Sequence, residues 1–155
     1  MTVATERDRI QHLFSRVERV EEVARSFEPT DDRRQTLLSV ASEALVECGP
    51  VRARIAADLL QLSEPTVRVW VREGVLSALA TSPRLLLDPS QLHDVIHLVR
   101  DLRDAGKTTG LLEAVWYRLK DRALLDREDL NESLEQMRHG IGREIHPDEL
   151  RHQDR

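Results

Sequence analysis

The chain has little of what holds small or extended folds together. Its single cysteine, Cys48, excludes an internal disulfide framework, and no set of Cys and His carries zinc-finger spacing. A lone thiol is expected as a small packed hydrophobe in a reducing compartment. Aromatic residues make up only 3 % of the sequence while Leu, Val and Ala abound, which disfavours a sandwich or barrel and favours helices. No stretch approaches the roughly 18 consecutive apolar residues of a membrane span. Glu6, Arg7, Asp8 and Arg9 leave no apolar core for a signal peptide, so a soluble, cytoplasmic protein with no membrane partner is expected.

An excess of positive charge is also missing. The net charge of -5 at pH 7 argues against indiscriminate nucleic-acid binding, because phosphate contacts call for a basic surface. The charge is unevenly spread: residues 1–50 carry 7 basic and 10 acidic side chains, residues 51–110 carry 8 and 7, and residues 111–155 carry 8 and 11. Only the middle is not acidic. Catalytic signatures are lacking as well: there is no glycine-rich phosphate loop, no nucleophile elbow and no Cys and His pair in a recognisable setting. His93 and His97 stand four apart on an expected helix, a spacing at which two imidazoles share zinc. Asp94, Val95 and Ile96 between them do not make the metalloprotease motif, and the sequence shows no third ligand. No catalytic residue, metal or cofactor is expected, and the chain reads as a non-enzyme.

What is present is helical periodicity. A chain of 155 residues makes one compact domain, or a small domain with helical extensions. Ile10, Leu13, Val17, Val20, Ala24 and Phe27 recur at alternating spacings of three and four, a short heptad seam. Two roles stand open for it: packing on the chain's own domain, or a homodimer zipper. Glu28, Pro29 and Thr30 break this helix, and Thr30 is the expected N-cap of a second, with Asp31 and Asp32 in its first turn. The face of that helix runs through Leu37, Leu38, Ala41, Ala44, Leu45 and Cys48 to a Gly49–Pro50 stop. Residues 1–50 thus form an expected helical hairpin.

From Val51, Ile55, Ala56, Leu59 and Leu60 give an apolar stripe, with Ala53, Ala56 and Ala57 small enough for a close helix crossing. After a turn at Gln61 and Leu62, Ser63 is the expected N-cap of a helix with Pro65 in its first turn, running to Glu73 before Gly74. Val67, Trp70 and Val71 share its inner face, leaving Ser63, Glu64, Thr66, Arg68, Val69 and Arg72 outward. A recognition helix needs that division, with an apolar side on a supporting helix and a polar side near the N-terminus for the major groove.

This segment resembles the winged helix-turn-helix of the MerR and excisionase families through Ala56, Ala57, Leu59, Ser63, Thr66, Val67, Trp70, Glu73, Gly74 and Leu76. Their pattern is an Ala-rich helix, a Ser-x-x-Thr-Val-x-x-Trp-like recognition helix and a Gly-x-Leu exit. The resemblance implies a two-stranded wing, placed at Ser77–Leu79 and Arg84–Leu87 around Thr81, Ser82 and Pro83. It then implies a helix from Gln91 to Ala105 after the cap Asp88, Pro89 and Ser90. The expected fold is mainly α: a winged helix-turn-helix over 51–106, flanked by the N-terminal hairpin and by C-terminal helices over 107–155. The resemblance also implies double-stranded operator DNA as partner. Arg52, Arg54, Arg68, Arg72 and Arg84 would neutralise phosphates or read guanine, Ser63 and Thr66 would sit at the groove, and Glu64 would accept from a cytosine amino group. The chain departs from these families in offering only Arg84 on the wing, in carrying Glu64 on the recognition helix, and in lacking a cysteine sensor site. A single long dimerisation helix is not expected either.

Past Gly106 two helices are expected, Thr109–Leu125 and about 126–139, the second capped by Asp126, with a polar tail from Gly140 to Arg155 that is mobile when alone. Leu112, Val115, Trp116, Leu119 and Ala123 share one face of the first; Leu130, Leu134 and Met137 line up on the second. A short acidic protein with a DNA-binding module and a polar C-terminal extension is similar in organisation to a type II antitoxin, which neutralises a toxin and represses its own operon. Leu130, Leu134, Met137, Arg138 and Arg143 are the expected partner-binding residues. Against a PIN-type ribonuclease, Arg138 or Arg143 would reach metal-binding carboxylates. Two functions follow from different classes: a dimeric sequence-specific repressor, and a helical adaptor that uses a helix-turn-helix scaffold for protein contacts without DNA.

Overall fold

The computed structural model describes residues 2–138. Its described residues are mainly helical, with six helices and three short strands in the order α1 (Val3–Arg25), α2 (Asp32–Cys48), β1 (Val51–Arg52), α3 (Ala53–Leu60), α4 (Glu64–Arg72), β2 (Ala78–Ala80), β3 (Leu86–Leu87), α5 (Pro89–Asp104) and α6 (Leu111–Arg138). The chain divides into two units, Met1–Trp116 and Tyr117–Arg155, with the boundary inside α6.

Helix α1 starts where the Thr2 side chain accepts from the Thr5 N–H, and it buries Ile10, Phe14, Val17 and Ala24. Helix α2 packs back along it, so that Arg9 near the start of α1 and Cys48 at the end of α2 border one groove. Arg34 Nη1 donates to the Phe27 carbonyl at 3.2 Å and Gln35 Nε2 to that of Pro29 at 3.3 Å, which pins the turn between them. The N-cap of α2 is Asp31, not Thr30: its carboxylate accepts from the Arg33 N–H at 2.9 Å. Arg33 also holds that carboxylate through its guanidinium and stacks 4.5 Å from the Phe27 ring centroid, so Phe27 lies in the turn beyond α1. Cys48 is half-buried, and burial pushes its thiol above the ordinary value, the condition of an inert cysteine.

Only Gly49 and Pro50 separate α2 from β1, and Gly49 turns the chain at φ 76°. The three strands form an antiparallel sheet in the order β1-β3-β2, where a two-stranded hairpin was expected. Val51 pairs with Leu87 and Arg52 with Leu86, while Ala78 and Ala80 bracket a bulge on the other side of β3. Val51 and Leu87 are fully buried, which is why β1 joins the sheet despite its two residues. Ser77, Arg84 and Leu85 fall outside the strands.

Helix α3 buries Ala53, Ile55, Ala56, Ala57 and Leu60, and α1, α4, α5 and the sheet all pack on it. Asp88 caps α5 by accepting from Ser90 N–H, with Pro89 in the first turn. Gln91 of α5 reaches back to the Val75 carbonyl at 2.8 Å and also meets Ser77 Oγ. Arg103, near the end of α5, donates to the Leu60 carbonyl at 2.7 Å and to that of Gln61 at 3.3 Å, satisfying carbonyls that the end of α3 leaves open.

The two C-terminal helices expected from the sequence are one, α6, and Asp126 lies in its interior rather than at a cap. No glycine or proline stands near Asp126. An interior aspartate costs at most about 0.7 kcal/mol, less than ending one helix and nucleating another. Leu111 and Val115 are buried in the first unit. The side chains of Leu130 and Met137, and everything from His139 through Arg143 and the rest of the tail, lie outside the described residues.

Two outcomes are expected. Trp70, 3 % exposed, anchors α4, so Trp70→Ala should cost about 3–5 kcal/mol by urea denaturation. Asp31 is held below its ordinary 3.8, first by the Arg33 side chain and then by its N–H. Its folded value lies below its unfolded one, so its contribution is present above that ordinary value and is lost as pH falls through the depressed one. Asp31→Asn keeps a cap but removes this titration, and its stability should fall less steeply than that of the wild type in melts taken from pH 5 down to about 2.5.

Candidate nucleic-acid interface

The turn between α3 and α4 is set by the backbone. Gln61 adopts the left-handed region at φ 56°, its N–H and that of Leu62 returning to the carbonyls of Asp58 and Ala57 at 3.3 and 2.9 Å. Ser63 then caps α4: its Oγ accepts from Thr66 N–H at 3.2 Å and lies 2.7 Å from Thr66 Oγ1. Both hydroxyls are therefore engaged with each other at the helix start. Val67 and Trp70 point into the core, while Val69 and Val71 are both half-buried, so the division between inner and outer faces is softer than the expected one. Helix α4 ends at Arg72, with Glu73 as its C-cap and Gly74 turning at φ 80° toward β2.

This leaves Glu64, Arg68 and Arg72 exposed on α4. Three separate elements meet beside them. A cleft of about 220 Å³ is bordered by Arg52 and Arg54 from β1 and the start of α3, by Glu64 and Arg68 from α4, and by Thr81 and Arg84 from the β2–β3 connection. An adjoining, more apolar cleft of about 520 Å³ runs along α4 past Pro65, Arg68, Val69 and Arg72 to Thr81 and Leu85. Residues separated in sequence, Arg54, Arg68 and Arg84, thus share one surface.

The arginines are not equivalent. Arg52 Nε lies 3.4 Å from a carboxylate oxygen of Glu6 on α1, so its charge is spent within the chain. Among the described residues Arg54, Arg68, Arg72 and Arg84 form no ion pair. All four are exposed. The surface can therefore offer four uncompensated guanidiniums around one carboxylate, Glu64, in a chain that is acidic as a whole. Thr81 and Pro83, at the rim, were read from the sequence only as a turn.

Elsewhere the expected sites are divided. Of the α1 seam, Ile10, Val17 and Ala24 are buried within the chain, and Leu13, Val20 and Phe27 remain half-exposed. Phe14, which the seam omitted, is buried. On α6, Leu134 is 48 % exposed and Arg138 is exposed.

His93 and His97 do meet a third potential ligand. His93 is 2 % exposed, and its Nε2 lies 3.0 Å from Glu21 Oε2 of α1. Its ring meets those of Phe14 and His97 edge-on. Burial pushes Glu21 upward, but the hydrogen bond from His93 and the charges of His93, Arg25 and His97 outweigh it, leaving the carboxyl below its ordinary value. His97 is pushed down, first by burial and then by His93, against the opposing pull of Glu18. Glu21 is 72 positions from His93, and no local pattern in the sequence joins them.

Comparison of the chain with protein-family models, curated proteins and solved structures finds no match. Ser63→Ala should lower stability by about 1 kcal/mol through loss of the α4 cap, with Ser63→Asp restoring it, both read from denaturant midpoints.

Proposed function

We propose that the protein is a sequence-specific, double-stranded-DNA-binding transcriptional regulator. In this reading α3 and α4 are the helix-turn-helix, α4 is the recognition helix, and β2, β3 and their connection are the wing. The observation that carries it is the convergence of Arg54, Arg68, Arg72 and Arg84, none of them ion-paired among the described residues, around the outer face of a capped helix whose other face is locked into the core by Val67 and Trp70. All four guanidiniums neutralise phosphates, Arg54 from the start of α3 and Arg84 from the β2–β3 connection, while Arg68 and Arg72 on the rigid α4 also come within reach of base edges. Arg52 drops out of the contact set because it serves Glu6. Ser63 and Thr66 act by shaping the helix start, whose N–H groups favour an anionic oxygen.

The reading extends to a homodimer and to an antitoxin that represses its own operon and neutralises a cognate toxin. The length of α6, 28 residues, supports a helical partner surface, and its exposed Tyr117, Leu124, Leu125 and Leu134 supply apolar groups for a second copy or a toxin. The adaptor reading rests on the net charge of -5 alone.

A gel shift against the upstream DNA, at two salt concentrations, tests the reading. Four phosphate-neutralising arginines give a slope of log K against log salt of about -3.6 for each protomer bound, roughly a 150-fold loss between 50 and 200 mM salt for one protomer and about the square of that for a dimer. Arg68→Ala with Arg72→Ala should abolish the specific shift and reduce that slope by roughly half. Absence of any shift for the wild type at low salt would retire DNA binding in favour of the adaptor.

A further inference from the structure

Glu21 of α1 and His93 and His97 of α5 each present one ligand atom, and the three atoms lie within 4.8 Å of one another. The plainer role for this cluster is a hydrogen bond that satisfies one buried imidazole, and His93 with Glu21 fulfils it. That role does not use His97, whose Nδ1 lies 3.8 Å from Glu18 Oε1. Its ring centroid is 4.5 Å from that of His93, and it makes no hydrogen bond of its own among the described residues.

Two imidazoles and a carboxylate form a donor set that zinc adopts where one position stays open. Tetrahedral bonds of about 2.0–2.1 Å place ligand atoms about 3.4 Å apart. His93 Nε2 and Glu21 Oε2, now at 3.0 Å, would part by about 0.4 Å, and no pair would have to close by more than about 1.4 Å, within the reach of small side-chain rotations. Both histidines also border a cavity of about 90 Å³ with Gln11, Ser15 and Glu18, which has room and polar partners for a water molecule as fourth ligand. Two cations stand nearby: Arg25 Nη2 lies 3.8 Å from Glu21, and Arg100 Nη1 lies 2.8 Å from Glu18. Their side chains are 62 % and 50 % exposed, so each can turn into solvent at little cost.

We propose that Glu21, His93 and His97 bind a divalent transition-metal ion of the zinc class, tying α1 to α5 within the first unit. This site is independent of the DNA-binding reading. An ion here joins residues 72 positions apart in the chain, and because only the folded chain assembles the ligands, binding stabilises the fold.

The test uses the full chain, stripped with a chelator and titrated with Zn²⁺ against a chromophoric competitor, and with Co²⁺ followed by visible absorption. Wild type should take up a single tight equivalent, show a four-coordinate Co²⁺ spectrum and melt at a higher temperature with Zn²⁺ than without. Mg²⁺, which demands six oxygen-rich positions, should do none of this. Glu21→Gln and His97→Gln should weaken the tight site by roughly 100-fold or more, since even outer partners of metal ligands are worth about 10- to 100-fold. Other donors, among them His12, Cys48 and the histidines of residues 139–155, are present in wild type and variants alike, so the difference between them is the readout. His97, a quarter exposed, is the variant whose folding is least at risk, and its melt without metal checks this. If wild type binds no tight equivalent, or if a folded His97→Gln protein binds Zn²⁺ as the wild type does, the cluster is a hydrogen-bonded pair and the proposal is overturned.

Discussion

An eight-residue helix is not stable in water: nucleation is costly, and so short a run recovers few hydrogen bonds. α3 exists because it is enclosed. Its alanines, Ala53, Ala56 and Ala57, leave room for neighbours to approach closely, and Ile55 and Leu60 supply the apolar area that rewards the approach. α1, α4, α5 and the sheet all pack on this one element, and Arg103 closes its last carbonyls. The position of α4, and with it the face that carries Arg68 and Arg72, is inherited from α3 through a turn of only three residues, Gln61, Leu62 and Ser63.

Charge is arranged against that rigid background. Acidic side chains dominate both ends of the sequence, yet Glu6, Glu18 and Glu21 of α1 are committed to Arg52, Arg100, Arg25 and His93. Such pairs contribute little stability where they are exposed. Their effect here is to decide which arginines stay uncompensated. Arg52 is compensated by Glu6, while Arg54, the second residue of α3, is not.

Much of this was legible because it is local. Ser63 with Pro65, Asp88 with Pro89, and Gly49 with Pro50 mark helix ends by chemistry confined to a few residues, and each marks the end it was expected to mark. The inner residues Val67 and Trp70 followed from helical spacing. At α2, two adjacent residues could serve as cap, and the bidentate grip of Arg33 on Asp31 favours the second. What sequence patterning missed depends on distant partners. β1 is too short to be seen as a strand and exists only by pairing with Leu86 and Leu87. Glu21 joins the histidines only through the packing of α1. Phe14 was passed over because a strict heptad reads one seam, whereas α1 is covered by more than one neighbour and buries a wider arc. Asp126 was given a cap's role on residue type alone, although nothing around it stops a helix.

The joint at Gly49 and Pro50 has a mechanical meaning. β1 is an edge strand hydrogen-bonded to β3, and α2 ends two residues before it. A flexible linker would let the N-terminal hairpin wander without effect, but so short a connection transmits load. A force that draws α2 along its axis is delivered to the margin of the sheet, next to Arg52 and Arg54, with almost no slack to absorb it. α1 also packs on α3 and α2 on α5, so the hairpin is joined to the elements that carry the arginines by packing as well as by the chain.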